Sequence, residues 1–378
     1  MDRRPCMALW KTPQMAWNGE LGVCCMDPGL ALSLGNFKDK TFEELWMGDK
    51  VHQWRLHHIR GEFEKVFGER ADKTIFSCEG CPGIRFPPVT DEEIIKYLEI
   101  TEEHDDILPY LERVNSPSVS KFKPMGNFLQ STWLKENWWL TLELNATCNL
   151  KCPMCSQYVS EIDGKPMPLE TIKTQVKHFI KNNIKFHSLT PFYRGESLLH
   201  PQIKEIIDYL AEQSIHKLWK LITLHTNANL LTKEVSLKLI KLFNSLEAGE
   251  LFFSLDAASQ STYDKVRKGG NLIKAQNNII EFIKQKQENP FMIFQFIVMD
   301  ENIDEVVPFT KFWSHILKQY NQDFVIAKTY DRLLDVNKYK TNIIYFRRKE
   351  GTPQEQDHSF KLQEQAYREL EEAGFELK

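Results

Sequence analysis

The chain has 378 residues, of which 42% are hydrophobic and 26% charged, and a formal net charge of −4. That balance describes a folded globular protein with room for one large unit and a smaller one, and it leaves no basic footprint for nucleic acid. No apolar run approaches the roughly 18 residues of a membrane span, and the start, Met-Asp-Arg-Arg-Pro-Cys, lacks the apolar stretch of a secretory signal. The expectation is a cytoplasmic protein with neither nucleic acid nor membrane as partner.

In chain order, residues 1–88 hold five of the eight cysteines among many turn residues. Residues 89–135 are acidic and then punctuated by Ser116-Pro117-Ser118, which reads as a helix or two and a connector. Residues 136–330 alternate. Strand-like apolar runs occur at Trp139–Leu144, Phe186–Phe192, Leu218–Leu224, Leu251–Leu255, Met292–Val298 and Phe324–Ala327. Helix-period stretches lie between them at Leu169–Ile180, Gln202–Ala211, Lys233–Phe243, Asn271–Lys286 and Ile303–Leu317. Strands separated by helices predict an α/β fold with a parallel sheet, and six such units fit a partial (β/α)6 TIM-like barrel. Residues 331–378 read as a charged tail with one amphipathic helix over Phe360–Leu370.

The cysteines are Cys6, Cys24, Cys25, Cys78, Cys81, Cys148, Cys152 and Cys155. In a reducing compartment, thiols clustered in this way read as metal ligands or catalysts. Cys148, Cys152 and Cys155 form a C-x₃-C-x₂-C pattern directly after the first strand of the alternating region. Fe–S clusters normally take four cysteines, so three on one loop leave one iron open to a small-molecule ligand. Loops at the C-terminal ends of barrel strands are where such sites sit. The competing reading is a zinc knuckle, which wants a fourth ligand; the nearest candidate, His187, is far along the chain.

The wording Cys-Asn-Leu-Lys-Cys-Pro-Met-Cys, and its place after strand one, resemble the radical S-adenosylmethionine (SAM) superfamily. The resemblance runs from about Trp138 to Tyr330 and recurs at successive strand ends. Tyr193-Arg194-Gly195-Glu196-Ser197 is similar to the Gly-Gly-Glu-Pro motif, with Arg194 and Ser197 as departures. The resemblance implies that Gly195 and Glu196 receive the amino group of SAM. Thr226-Asn227-Ala228 resembles a Thr-Asn-Gly stretch, in which Asn227 bonds SAM or orients the neighbouring loop. Ser254-Leu255-Asp256, followed by Arg267 before Gly269-Gly270, resembles the family's fourth strand. Ser254 and Asp256 are then expected on one face of a strand end, and Arg267 is expected to offer its guanidinium to the SAM carboxylate. Val298 on the fifth strand is expected beside the adenine, with core packing as the alternative.

Toward the N-terminus, Cys6, Cys24, Cys78 and Cys81 can close a complete thiolate set around a 4Fe–4S cluster or a zinc ion. With Leu34-Gly35-Asn36 and Trp46, they resemble the SPASM auxiliary-cluster domain in its shortened, one-cluster form. Cys25 is left over, either a buried thiol or an alternative ligand. In most relatives this domain follows the barrel; here it precedes it. Three arrangements remain open: docking in permuted order on the same barrel, service to a partner subunit, or descent from a split tandem protein.

The resemblance implies a 4Fe–4S cluster that cleaves SAM, an auxiliary 4Fe–4S cluster, and a one-electron reductant such as a flavodoxin or ferredoxin. It implies hydrogen abstraction from a peptide or protein side chain. Alternatives are oxidation or epimerisation of a sugar or cyclitol and, outside catalysis, an iron–sulfur or zinc electron-transfer or scaffold protein.

Overall fold

The chain builds one ten-stranded sheet in the computed structural model, which describes residues 3–24, 26–69, 75–79, 81, 89–116, 136–155, 164–212, 217–286, 288–328, 341–349 and 353–378. The strands are β1 (Gln14–Met15), β2 (Glu20–Gly22), β3 (Ser33–Asn36), β4 (Phe67–Glu69), β5 (Ile75–Ser77), β6 (Glu136–Leu142), β7 (Lys185–Thr190), β8 (Leu221–Thr226), β9 (Ala248–Ser254), β10 (Phe291–Val298), β11 (Phe324–Ala327) and β12 (Asn342–Arg348). The large sheet runs β11-β12-β10-β9-β8-β7-β6-β1-β2-β3, and β4 pairs with β5 in a separate antiparallel hairpin. From β11 to β1 every pairing is parallel. β2 and β3 continue the edge in antiparallel fashion.

Helices return the chain between parallel strands, as this topology requires. They span Leu169–Lys181, Ile203–Leu210, Lys233–Asn244, Leu272–Gln285 and Val306–Gln319. Their starts are locally encoded: Thr232 caps the third through the Val235 amide, and Asn271 caps the fourth through the Lys274 amide. Their apolar faces meet one side of the sheet, where Leu224, Phe253, Phe294 and Phe296 are almost fully buried. Each such side chain contributes about 1.5–3 kcal/mol through burial.

The other side of the sheet forms a cup. Alternation places Phe252, Ile293 and Ile343 there as a second, smaller apolar cluster. Nearer the C-terminal strand ends, His225, Ser254, Ile297 and Tyr345 on the same face are only half-buried. The cup is therefore packed at its floor and open at the strand ends. His225 is stacked between Phe192 (5.1 Å) and Phe252 (4.1 Å).

Two features depart from the sequence reading. The sixth position in the sheet belongs to β12, not to Phe324–Ala327, which lies outside it at the edge. The segment read as a charged tail thus contains a central strand and the long helix Pro353–Glu372. The apolar run Asn342–Phe346 is short and flanked by lysines and arginines, so composition hid it. Its insertion between β10 and β11 is a tertiary choice with no local signal.

The N-terminal region docks on its own barrel. β1 pairs in parallel with β6, Gln14 with Thr141 and Met15 with Leu142. The N-terminal segment thus extends the sheet that holds this chain's own barrel strands. Residues 89–116 supply the helices Asp91–Ile100 and Ile107–Arg113; residues 117–135 of the expected connector, like Cys25, lie outside the described residues.

Candidate active site

The triad loop leaves the end of β6. Cys152 is 6% exposed, and Cys148 and Cys155 are half-buried. The Cys155 amide donates to the Cys152 carbonyl at 3.0 Å and closes a tight turn. The Leu150 amide donates to Cys148 Sγ at 3.4 Å, and Arg267 Nη1 approaches Cys152 Sγ at 3.7 Å. The Lys151 amide, bonded to the Lys268 carbonyl at 2.8 Å, ties the loop to the segment after Arg267. Burial pushes the Cys148 thiol up to about 12, and the charges of Glu196, Cys152 and Cys155 push the same way. Burial also raises Cys152, against the pull of Arg267. Cys155 thus acts on both Cys148 and Cys152, and Cys152 on Cys148, which places the triad sulfurs near enough to feel one another's charge. Amide and guanidinium donors aimed at sulfur are the surroundings an iron–sulfur cluster needs.

Gly195 adopts φ +71°, and a Cβ there would stand 2.4 Å from the Thr147 carbonyl oxygen and 2.5 Å from that of Asn145. Only glycine permits both the left-handed backbone and this approach to the triad loop. Gly195→Ala is therefore expected to displace the loop and weaken SAM binding at least tenfold, about 1.4 kcal/mol, as read by equilibrium binding to the anaerobic protein. Unchanged affinity would exclude the contact.

The Glu196 carboxylate is 2% exposed and accepts three bonds: from Thr226 Oγ1 (2.9 Å), the Asn227 amide (2.8 Å) and the Leu198 amide (3.2 Å). Burial raises its pKa against those donors. Here Glu196 braces the end of β8, while its own amide bonds the Thr147 carbonyl. Asn227 Nδ2 donates to Asn149 Oδ1 at 2.9 Å, so this side chain orients the triad loop.

Asp256 is fully buried, with φ +58°, and accepts from Arg267 Nε (2.7 Å), from Arg267 Nη2 and from the Ile297 amide (2.7 Å). The Arg267 guanidinium, expected on a SAM carboxylate, is held by Asp256 and reaches Cys152. Ser254 is half-buried at the end of β9, with no side-chain hydrogen bond among the described residues. Val298 is turned away: it is fully buried in the core beneath the helices, while Ile297 faces the cup. The two-residue alternation of β10 decides this, because Phe294, Phe296 and Val298 share a face.

In the N-terminal region, burial pushes the Cys78 thiol up to about 12, with further pushes from Cys6, Cys81 and Asp27. The Cys81 amide bonds the Cys78 carbonyl at 3.4 Å, and the Asp27 amide bonds the Cys24 carbonyl at 3.1 Å. The charges of Cys6 and Cys81 are thus felt at Cys78, and Cys24 heads the turn that carries Asp27. This donor set also fits a cluster. Among the described residues no three Cys, His, Asp or Glu side chains close on a point as a single bound ion requires.

Sequence reasoning missed the contacts between these two regions. Glu143, 0% exposed, accepts from Arg194 Nε and Nη2 (2.6 Å each) and from the Trp17 amide (3.1 Å). Arg194 Nη1 donates to the Pro28 carbonyl, and the Tyr193 hydroxyl to the Asp27 carbonyl, both at 2.7 Å. The available signal was Arg194 itself, a charged residue where the resembled motif has glycine.

A mostly parallel α/β sheet with a three-cysteine loop after β6 defines a protein of the partial-barrel kind. Residues 142–312 match the radical SAM superfamily model, and residues 6–82 match the SPASM model, an iron-sulfur cluster-binding domain. The chain thus carries a radical SAM domain preceded by a SPASM domain. Its cofactors are accordingly a 4Fe–4S cluster, S-adenosylmethionine and an auxiliary iron–sulfur cluster. No curated protein matches the sequence. Among solved structures it is similar to SuiB from Streptococcus suis bound to S-adenosylmethionine, at 12% identity and TM-score 0.41, over 76% of this chain and 61% of that one. SuiB bound to precursor peptide SuiA is 17% identical at TM-score 0.38, over 74% and 65%. anSMEcpe with bound AdoMet and Cp18Cys peptide is 18% identical at TM-score 0.38, over 49% of each chain. The chain spans 59%, 49% and 61% of the lengths of TYW1, anSMEcpe and SuiB respectively. No helix among the described residues is long and apolar enough to cross a membrane.

Proposed function

We propose that the protein is a radical SAM enzyme that removes hydrogen from a C–H bond of a peptide or protein side chain. The observation that carries this is the convergence of β6, β7 and β8 ends on one loop bearing three buried or half-buried thiols, packed against Gly195 and Asn227. Cys148, Cys152 and Cys155 hold the SAM cluster; Cys6, Cys24, Cys78 and Cys81 hold the auxiliary one. A cluster held by Cys148, Cys152 and Cys155 would, once reduced, supply the electron for reductive cleavage of SAM and with it the power to abstract hydrogen from the substrate.

The chain's own residues position and shield. The fixed Gly195–Glu196 backbone and half-buried Ser254 face SAM's polar end. Arg267, anchored by Asp256, supplies positive charge beside Cys152. The packed floor of the cup excludes water, and its open rim admits a side chain. Support for a peptide substrate is the SPASM domain, which in the enzymes this chain resembles goes mostly with peptide or protein modification. The reading includes a reducing cytoplasmic setting and a flavodoxin- or ferredoxin-type electron donor.

The test is anaerobic reconstitution, then assay of 5′-deoxyadenosine with SAM and reductant, alone and with candidate peptides. The expected result is 5′-deoxyadenosine whose yield rises with a peptide that becomes chemically altered. A fully reconstituted protein that forms none overturns the proposal. Cys78→Ala is expected to retain SAM cleavage while losing altered peptide. Loss of both activities would place Cys78 outside the auxiliary role.

A further inference from the structure

We propose that Arg194 is a positioning residue for SAM, linking the cysteine-bearing turn of the SPASM domain to the SAM-facing loop, so that filling the auxiliary site and binding SAM favour one another. The loop Tyr193–Glu196 touches everything that matters. Tyr193 and Arg194 bond the Asp27 and Pro28 carbonyls at 2.7 Å, and the Tyr193 hydroxyl also lies 3.4 Å from the Cys24 carbonyl. The inner edge of the guanidinium grips Glu143, just beyond β6. One residue later, Gly195 is pressed against the triad-loop backbone, and Glu196 bonds Thr147, Thr226 and Asn227.

This linkage has no slack. Arg194 and Glu143 are 6% and 0% exposed, and a planar guanidinium holding two carboxylate oxygens and a carbonyl has one acceptable placement. Cys24 itself heads the gripped turn, its carbonyl accepting from the Asp27 amide at 3.1 Å. A shift of that turn on cluster loading must therefore move Arg194 and, through the chain, Gly195. Coupling of this kind is reciprocal by thermodynamic necessity. The resembled motif has glycine at position 194, so the clamp is a feature of this chain. It rests on the family's cofactors and not on the substrate; a wrong peptide reading leaves it standing.

The experiment measures the SAM dissociation constant of the anaerobically loaded, reduced protein from the change in its EPR signal. Cys6→Ala, which empties the auxiliary site, is expected to weaken SAM binding at least about fivefold in the otherwise unaltered chain. In a Glu143→Met/Arg194→Met background the same substitution is expected to change affinity less than about twofold. Tyr193→Phe, which removes one hydroxyl, is expected to lower the coupling to an intermediate value, and it carries the test alone if the double variant does not fold. No effect of Cys6→Ala in the parent, or an equal effect in every background, overturns the proposal.

Discussion

Cys152→Ala is expected to reduce 5′-deoxyadenosine formation to the level given by reductant and SAM without protein. Cys152 is the buried member of the triad, gripped from both sides. Its carbonyl closes the turn to Cys155, and its sulfur takes the approach of Arg267 Nη1. Removing that sulfur leaves two thiols on the loop, too few to hold a cubane that already lacks a fourth protein ligand. It also leaves the Arg267 cation facing a void, still held by Asp256. Iron analysis after anaerobic reconstitution separates this from unfolding: about eight irons per chain are expected to fall to about four, because the N-terminal thiols are untouched. Activity equal to the parent would remove the triad from the chemistry.

Arg194→Met is expected to destabilise the protein by about 3–5 kcal/mol, because it leaves the Glu143 carboxylate buried without its cation. Glu143 is 0% exposed, and its other donors are amides, of Trp17 at 3.1 Å and of Arg194 at 3.3 Å. The Glu143→Met/Arg194→Met variant is expected to regain most of that loss, since a buried ion pair exchanged for apolar side chains of similar volume is often neutral. Denaturant midpoints at constant slope give both numbers. Equal stabilities of the single and double variants would show that Glu143 finds another partner. The outcome matters beyond stability, because this pair joins the SPASM domain to the barrel.

The legible part of the site was the part carried on single strand ends. Gly195, Glu196, Asn227 and Arg267 touch the triad loop, with Asp256 behind Arg267, because a parallel sheet gathers its C-terminal strand ends on one side. The directions of the side chains were less legible. Glu196 and Arg267 were expected to face SAM, yet three donors hold Glu196 against β8, and Asp256 holds Arg267 beside Cys152. Such choices depend on which buried group lacks a partner, and that is decided across strands. Val298 shows the same limit at the scale of one residue: a slip of one position moves a side chain from the cup to the core.

By itself the sequence determined the α/β alternation, the caps that start its helices, the three-thiol loop after the first barrel strand and the glycine at 195 that this loop requires. These are local: hydrophobic period, turn chemistry and ligand spacing act over a few residues. Only the tertiary structure decided that β12 enters between β10 and β11, that β1 pairs with β6 so the N-terminal domain docks on its own barrel, and that Glu143 and Arg194 clasp the two together. The physical reason is range. Those partners stand tens of residues or more apart, and burial away from water makes their pairing obligatory once the sheet has formed.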